Sequence, residues 1–106
     1  MNAAFCYVTC PDRGQALAIA RSLIDERLIA CANIFPGMTS LYRWEGEVHE
    51  AEEVVLVLKT SMPLVEPVTK RVKVLHSYTC PCVAVLPVTG GNPDYLAWIV
   101  AETSGN

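Results

Sequence analysis

The sequence predicts an α+β domain: a ferredoxin-like βαββαβ sandwich with an extra C-terminal helix, associating with copies of itself. Three observations lead there. The chain has 106 residues, room for a single domain spanning 1–106. Its turn and periodicity signals run strand–helix–strand, strand–helix–strand, then helix, and two βαβ units in so short a chain fit the split βαβ sandwich. The third and fourth strands, around Val54–Leu58 and Val83–Val88, are apolar on both faces. Helices of such a sandwich cover only one face of its sheet, so the other needs a second source of cover, and homo-oligomerisation is the simplest.

Each element has a local cause. Ala3–Thr9 is a short apolar run suited to a strand. Pro11-Asp12 starts a helix, because proline suits the first turn and an acid suits the positive end of the helix dipole. Leu17, Ala20, Ile24 and Leu28 then recur at helical spacing, which extends the helix from about Asp12 to Leu28. A second strand begins at Cys31–Phe35, is interrupted by a bend or bulge at Pro36-Gly37, and resumes through Ser40–Trp44 with Tyr42 and Trp44 on one face. Glu45-Gly46 closes a hairpin with a turn less favourable than Asn-Gly, and the third strand runs to Thr60. Leu64, Val68, Val72 and Leu75 mark the second helix, with Pro63 and Pro67 confined to its first turn. The fourth strand ends before Gly90-Gly91. Asn92-Pro93-Asp94 supplies an N-cap, a first-turn proline and an acid for a final helix reaching about Ser104.

Composition removes several function classes. Hydrophobic residues make up 52% and charged residues 18%, against the low hydrophobicity of disordered chains. The net charge of −3 lacks the basic footprint of a nucleic-acid binder. Mean hydropathy is +0.31, yet no apolar run approaches the ~18 residues of a membrane-spanning helix. The start of the chain carries no basic, apolar leader, and five cysteines without one point to a reduced, cytoplasmic protein rather than a disulfide framework. No nucleophile-elbow, zinc-protease or phosphate-loop motif is present, and no organic cofactor is implied. The loop Thr9–Gly14 holds one cysteine where a small copper chaperone of this fold would carry a CxxC, and it poorly matches the loop of an acylphosphatase.

Three clusters carry chemistry. His76, Cys80 and Cys82 combine imidazole and thiols, ligands that suit copper, zinc or another borderline-soft divalent ion. The competing reading makes His76 a helix-end residue bonded to backbone and the cysteines small apolar side chains. Glu53 and Lys59 share parity with Val55 and Val57, so a charged pair flanks a buried strand, lining a pocket with Tyr42 or Trp44 or closing a subunit interface. The acidic segment Glu45, Glu47, Glu50, Glu52 and Glu53 reads either as an attractor of cations or as a solvated hairpin.

The segments Ala30-Cys31-Ala32-Asn33-Ile34, Pro36-Gly37, Ser40-Leu41-Tyr42-Arg43-Trp44-Glu45-Gly46, Leu58-Lys59-Thr60, His76-Ser77-Tyr78, Leu86-Pro87-Val88 and Asn92-Pro93-Asp94-Tyr95-Leu96-Ala97-Trp98-Ile99 together resemble the CutA divalent-cation tolerance family. The resemblance covers nearly the whole chain. It implies a ferredoxin-like homotrimer similar in architecture to the PII signalling proteins, a cytoplasmic location, and a link to tolerance of copper and other divalent metals without an enzymatic reaction. Positions matching the family's inter-subunit cleft are Trp44, Glu53, Lys59, His76 and Tyr78. The resemblance gives Trp44 and Tyr78 the role of aromatic walls, Glu53 and Lys59 that of binding polar groups, and His76 that of metal ligand or hydrogen-bond partner. One departure is Ser77, where the family commonly has proline, and its backbone freedom affects the orientation of His76.

Two readings of function lead. The first is a trimeric, non-enzymatic protein of metal-ion response that binds copper or a similar ion through His76, Cys80 and Cys82. The second is a PII-like module that binds a small anionic metabolite between subunits through Lys59, Glu53 and the aromatic positions. An interfacial acid–base enzyme using His76, Tyr78 and Glu53, and a scaffold for a protein partner, are further alternatives.

Overall fold

The computed structural model describes residues 2–105. Its elements are β1 (Ala3–Cys10), α1 (Arg13–Asp25), β2 (Cys31–Trp44), β3 (Glu47–Ser61), a 3₁₀ turn (Met62–Leu64), α2 (Val65–Leu75), β4 (Val83–Pro87) and α3 (Pro93–Glu102). The four strands form one antiparallel sheet in the order β2-β3-β1-β4. Each βαβ unit is split by a strand of the other, as expected for this element order. Among the described residues no helix is long and apolar enough to cross a membrane.

The main core lies between one sheet face and the helices α1 and α2. Cys6, Val8 and Cys10 of β1 alternate inward beside Val54, Leu56 and Leu58 of β3, and meet Ile19 and Leu23 of α1 and Val68 and Val72 of α2. Asp12 caps α1 by accepting from the Gln15 N–H at 2.8 Å. The helix stops three residues before the expected Leu28. There Arg27 turns left-handed at φ 58°, its N–H reaches the Ile24 carbonyl, and the Leu28 N–H reaches the Leu23 carbonyl. These two bonds satisfy carbonyls that would otherwise be left open at the helix end.

The second sheet face is covered at one end only. There α3 lays Leu96 and Ile99 over Ala3, Phe5, Ala30 and Val88. The capping expected of Asn92 is present: its side chain accepts from the Asp94 N–H at 3.1 Å. β4, apolar on both faces, is exposed over Ala84–Pro87 in the single protomer. The reason is position: β4 is an edge strand paired only with β1.

The interruption at Pro36-Gly37 is a β-bulge within one continuous strand. Phe35 pairs with Val55 and Met38 with Glu53, so Pro36 and Gly37 share the place opposite Val54. Proline is tolerated because β2 is an edge strand. Gly37 supplies the left-handed φ of 77°. Before the bulge Ala32 and Ile34 pack toward the helices. After it, Met38, Ser40, Tyr42 and Trp44 point to the opposite face, that of Glu53. Beyond Val54, β3 has only β2 as a partner, so the two strands project as a ribbon roughly 20 Å past the sheet. The molecule is correspondingly long, 44 × 25 × 22 Å. The ribbon closes on Glu45 and Gly46, both at positive φ, 50° and 83°.

Two stability changes follow. A methyl group at Gly37 would meet nothing within 4 Å, so Gly37→Ala costs only the left-handed backbone, about 1 kcal/mol. Glu45→Asn, better suited to its turn position, should raise stability by about 0.5 kcal/mol. Urea unfolding midpoints of the two variants check both signs.

Candidate functional site

The bulge, the ribbon and the loop after α2 enclose a cleft of about 540 Å³ on the second sheet face. Tyr7 and Thr9 of β1 form its base, because they alternate with the inward-facing Cys6, Val8 and Cys10. Met38, Ser40, Tyr42 and Trp44 of β2 form one side, and Tyr78, Thr79, Cys80 and Cys82 another. Glu53 of β3 sits in the cleft at only 8% exposure. Tyr78 donates its hydroxyl to Glu53 Oε2 at 2.7 Å. Burial and the adjoining carboxylate push the Tyr78 hydroxyl well above the usual tyrosine range.

The loop that carries Tyr78 is tied down on both sides. His76 ends α2 with its N–H on the Val72 carbonyl. Its ring Nε2 lies 2.8 Å from the Thr9 carbonyl, which can only accept, so Nε2 carries the proton. The Nδ1 lone pair then accepts from the Tyr78 N–H at 3.1 Å. Ser77 adds a bond that proline could not make: its N–H donates to Gln15 Oε1 at 3.2 Å. Gln15 Nε2 also donates to the Ser77 hydroxyl at 2.9 Å. The freedom expected from the loss of proline is thereby offset by hydrogen bonds to α1.

The structure thus places Trp44, Glu53, Tyr78, Cys80 and Cys82 around one cleft. It places His76 behind that cleft, 7% exposed, with both ring nitrogens engaged by the protein. Among the described residues no three His, Cys, Asp or Glu side chains are grouped to hold a metal ion, so His76, Cys80 and Cys82 do not form a ligand set within one protomer. Lys59 is not part of the cleft. It shares the face of Glu53 but lies six residues along β3, roughly 20 Å away. There its ammonium donates to the Tyr95 hydroxyl at 2.9 Å and rests against the Phe5 ring, 5.2 Å from the centroid.

The thiols differ. Cys6 and Cys10 are buried, and burial pushes each up to about 11; the charges of Asp12 and Glu53 add to the effect at Cys10. Cys80 and Cys82 are exposed at the cleft rim. Burial and Glu53 raise the Cys82 thiol as well. Tyr7, Thr9 and Met38 were not singled out from the sequence. The alternation of β1 could have exposed the first two; Met38 becomes visible only once the bulge is located.

The family described as "CutA1 divalent ion tolerance protein" matches residues 4–102. The chain belongs to this family. It is 46% identical to the "Divalent-cation tolerance protein CutA" of Thermus thermophilus, over 91% of this chain and 93% of that one. It is 43% identical to mouse "Protein CutA", over 94% of this chain and 58% of that one. It therefore spans little more than half the length of such eukaryotic relatives, 53% for the "Protein CutA, chloroplastic" of Arabidopsis thaliana. Among solved structures, CutA from Xylella fastidiosa superimposes with a TM-score of 0.94 at 37% identity, covering 97% of this chain and 99% of that one. The Thermus thermophilus structure does so with a TM-score of 0.92 at 44% identity, covering 95% and 98%. The four antiparallel strands and three helices are thus the CutA arrangement.

The raised Tyr78 hydroxyl has a consequence for stability. Above pH ~10 an unfolded tyrosine loses its proton while Tyr78 in the folded CutA chain keeps it. The folded state then binds more protons than the unfolded state, and stability falls as pH rises. Cys6 and Cys10 act in the same direction between the ordinary thiol value of 9.0 and about 11. Unfolding free energy measured from pH 8 upward should decline, and Tyr78→Phe should make the decline above pH ~10 shallower. An identical slope in that variant would contradict the assignment.

Proposed function

We propose that this CutA chain acts as a homotrimer, without catalysing a reaction, in the response to metal ions. It takes copper or a similar borderline-soft cation through the rim thiols of Cys80 and Cys82. The observation that carries the reading is the character of the cleft. Two exposed thiols and the Met38 thioether line it, and its charged lining residue is an acid, Glu53. Sulfur ligands suit copper and zinc, and the carboxylate favours any cation that approaches. His76 supports the site by fixing the loop before the thiols, since its ring bonds Thr9 and Tyr78. That role holds a proton in place rather than moving one.

The homotrimer is supported by surface left uncovered in one protomer. Leu41 is 71% exposed and Val48 59% exposed on the projecting ribbon, and Leu86 is half exposed on the edge strand. An isolated two-stranded ribbon is marginal in water, and apolar residues of this kind on a ribbon and an edge favour association. The cytoplasm is the proposed compartment because all five cysteines are free. The alternative, a PII-like module for an anionic metabolite, relied on Lys59. That lysine is engaged by Tyr95 at the far end of the face, leaving Glu53 as the cleft's charged side chain.

Native mass spectrometry with copper under reducing conditions tests the proposal. The expected species is a trimer holding about one ion per protomer. Replacing both rim thiols, Cys80→Ser with Cys82→Ser, should remove the ion and leave the trimer, whereas His76→Ala should lower stability first. Retention of the ion by the double variant would overturn the ligand assignment.

A further inference from the structure

The donors at the cleft rim decide which metal ions can be held there. Cys80 and Cys82 flank Pro81 in the stretch that leads into β4. Proline fixes its own φ at about −65° and biases the residue before it toward extended backbone, where side chains two apart share a face. Both thiols line the same cleft, and both are exposed. The Cys82 thiol donates to the Tyr7 carbonyl at 4.0 Å, a weak contact that a metal readily displaces.

The surroundings withhold any further donor. A tetrahedral zinc site takes four protein ligands, or three with an open position. Among the described residues no third His, Cys, Asp or Glu side chain joins the two thiols. His76 has Nε2 on the Thr9 carbonyl and Nδ1 on the Tyr78 N–H. Glu53 has Oε2 on the Tyr78 hydroxyl. Cys6 and Cys10 turn into the core, and Cys31 lies far along the sheet, opposite Lys59. The nitrogen and oxygen ligands that divalent copper prefers are thus missing from the pair. Two thiolates are, by contrast, a sufficient set for a soft, closed-shell monovalent ion, which has no need of four ligands.

We propose that the rim of the cleft is a site for Cu(I), held between the thiolates of Cys80 and Cys82, rather than for a divalent cation. The inference rests on the metal reading above and narrows it. The family is described by divalent ions, whereas the donors of this chain suit a monovalent one. Loading takes in Cu(I) and releases two thiol protons, with no change of oxidation state. Burial and Glu53 raise the Cys82 thiol, so a proton is displaced there at neutral pH and affinity rises with pH.

The full-length protein, pre-reduced, desalted and kept anaerobic, is offered Cu(I) as its coloured bicinchoninate complex. The expected result is transfer of about one ion per protomer, with affinity increasing from pH ~6 to ~8. Ag(I), of the same charge and softness, should displace the copper. Zn(II), followed with a zinc-specific chromophore, should bind at least about a hundredfold more weakly. Copper K-edge absorption should show Cu(I) with two sulfur neighbours. Cys80→Ser and Cys82→Ser, taken singly, should each weaken Cu(I) binding about a hundredfold or more, because a two-ligand site has none to spare. Both positions are exposed, so circular dichroism should stay unchanged. Glu53→Gln should not weaken Cu(I) uptake. Zn(II) held as tightly as Cu(I), or a copper centre with nitrogen or oxygen neighbours, would overturn the monovalent assignment and leave the metal reading standing. Unchanged Cu(I) uptake in both single variants would overturn the ligand assignment, and uptake of no ion at all would overturn the metal reading with it.

Discussion

The arrangement of this protein turns on one extra residue in an edge strand. A β-strand presents alternate side chains to opposite faces, and a bulge of one residue exchanges those faces. Up to Phe35 the even-numbered residues of β2 serve the core; from Met38 onward they serve the cleft. A proline with no N–H to lose and a glycine in left-handed conformation make the exchange at low cost. The same strand therefore helps to bury Leu56 and Leu58 at one end, and at the other sets Met38 opposite Glu53 and lines the cleft with Tyr42 and Trp44.

The remaining walls depend on side chains that bind backbone. His76 joins the end of α2 to the end of β1 through the Thr9 carbonyl, and its Nδ1 accepts from the Tyr78 N–H. Gln15 at the start of α1 grips Ser77 from the other side. Three elements thus converge on the three residues His76–Tyr78 and set Tyr78 against Glu53. His76 and Gln15 are here structural ties. The chemical surface they leave is acidic, aromatic and thiol-rimmed.

Much of this was legible in the chain. Hydrophobic periodicity and end signals located every strand and helix, and two-sided apolar strands foretold a sheet face that one protomer leaves largely open. Pro36-Gly37 announced the bulge, and Tyr42 and Trp44 were correctly seen to share a face. The grouping of Trp44, Glu53 and Tyr78 came with family resemblance, since they lie on separate elements whose packing no local pattern encodes. Within one protomer Lys59 lies apart from Glu53, because equal parity puts two residues on one face but says nothing of their separation along the strand. For His76 the sequence left open a metal ligand and a helix-end residue bonded to backbone, and in the structure both ring nitrogens bond backbone groups.

The central claim is that the cleft exists because the register of β2 on β3 shifts at Pro36-Gly37. Cross-strand Cα-proton contacts measured by NMR in solution test it most directly. The account predicts pairing of Phe35 with Val55, then of Met38 with Glu53 and Tyr42 with His49. An unshifted register, with Gly37 opposite Glu53, would turn Tyr42 and Trp44 to the other face and contradict it.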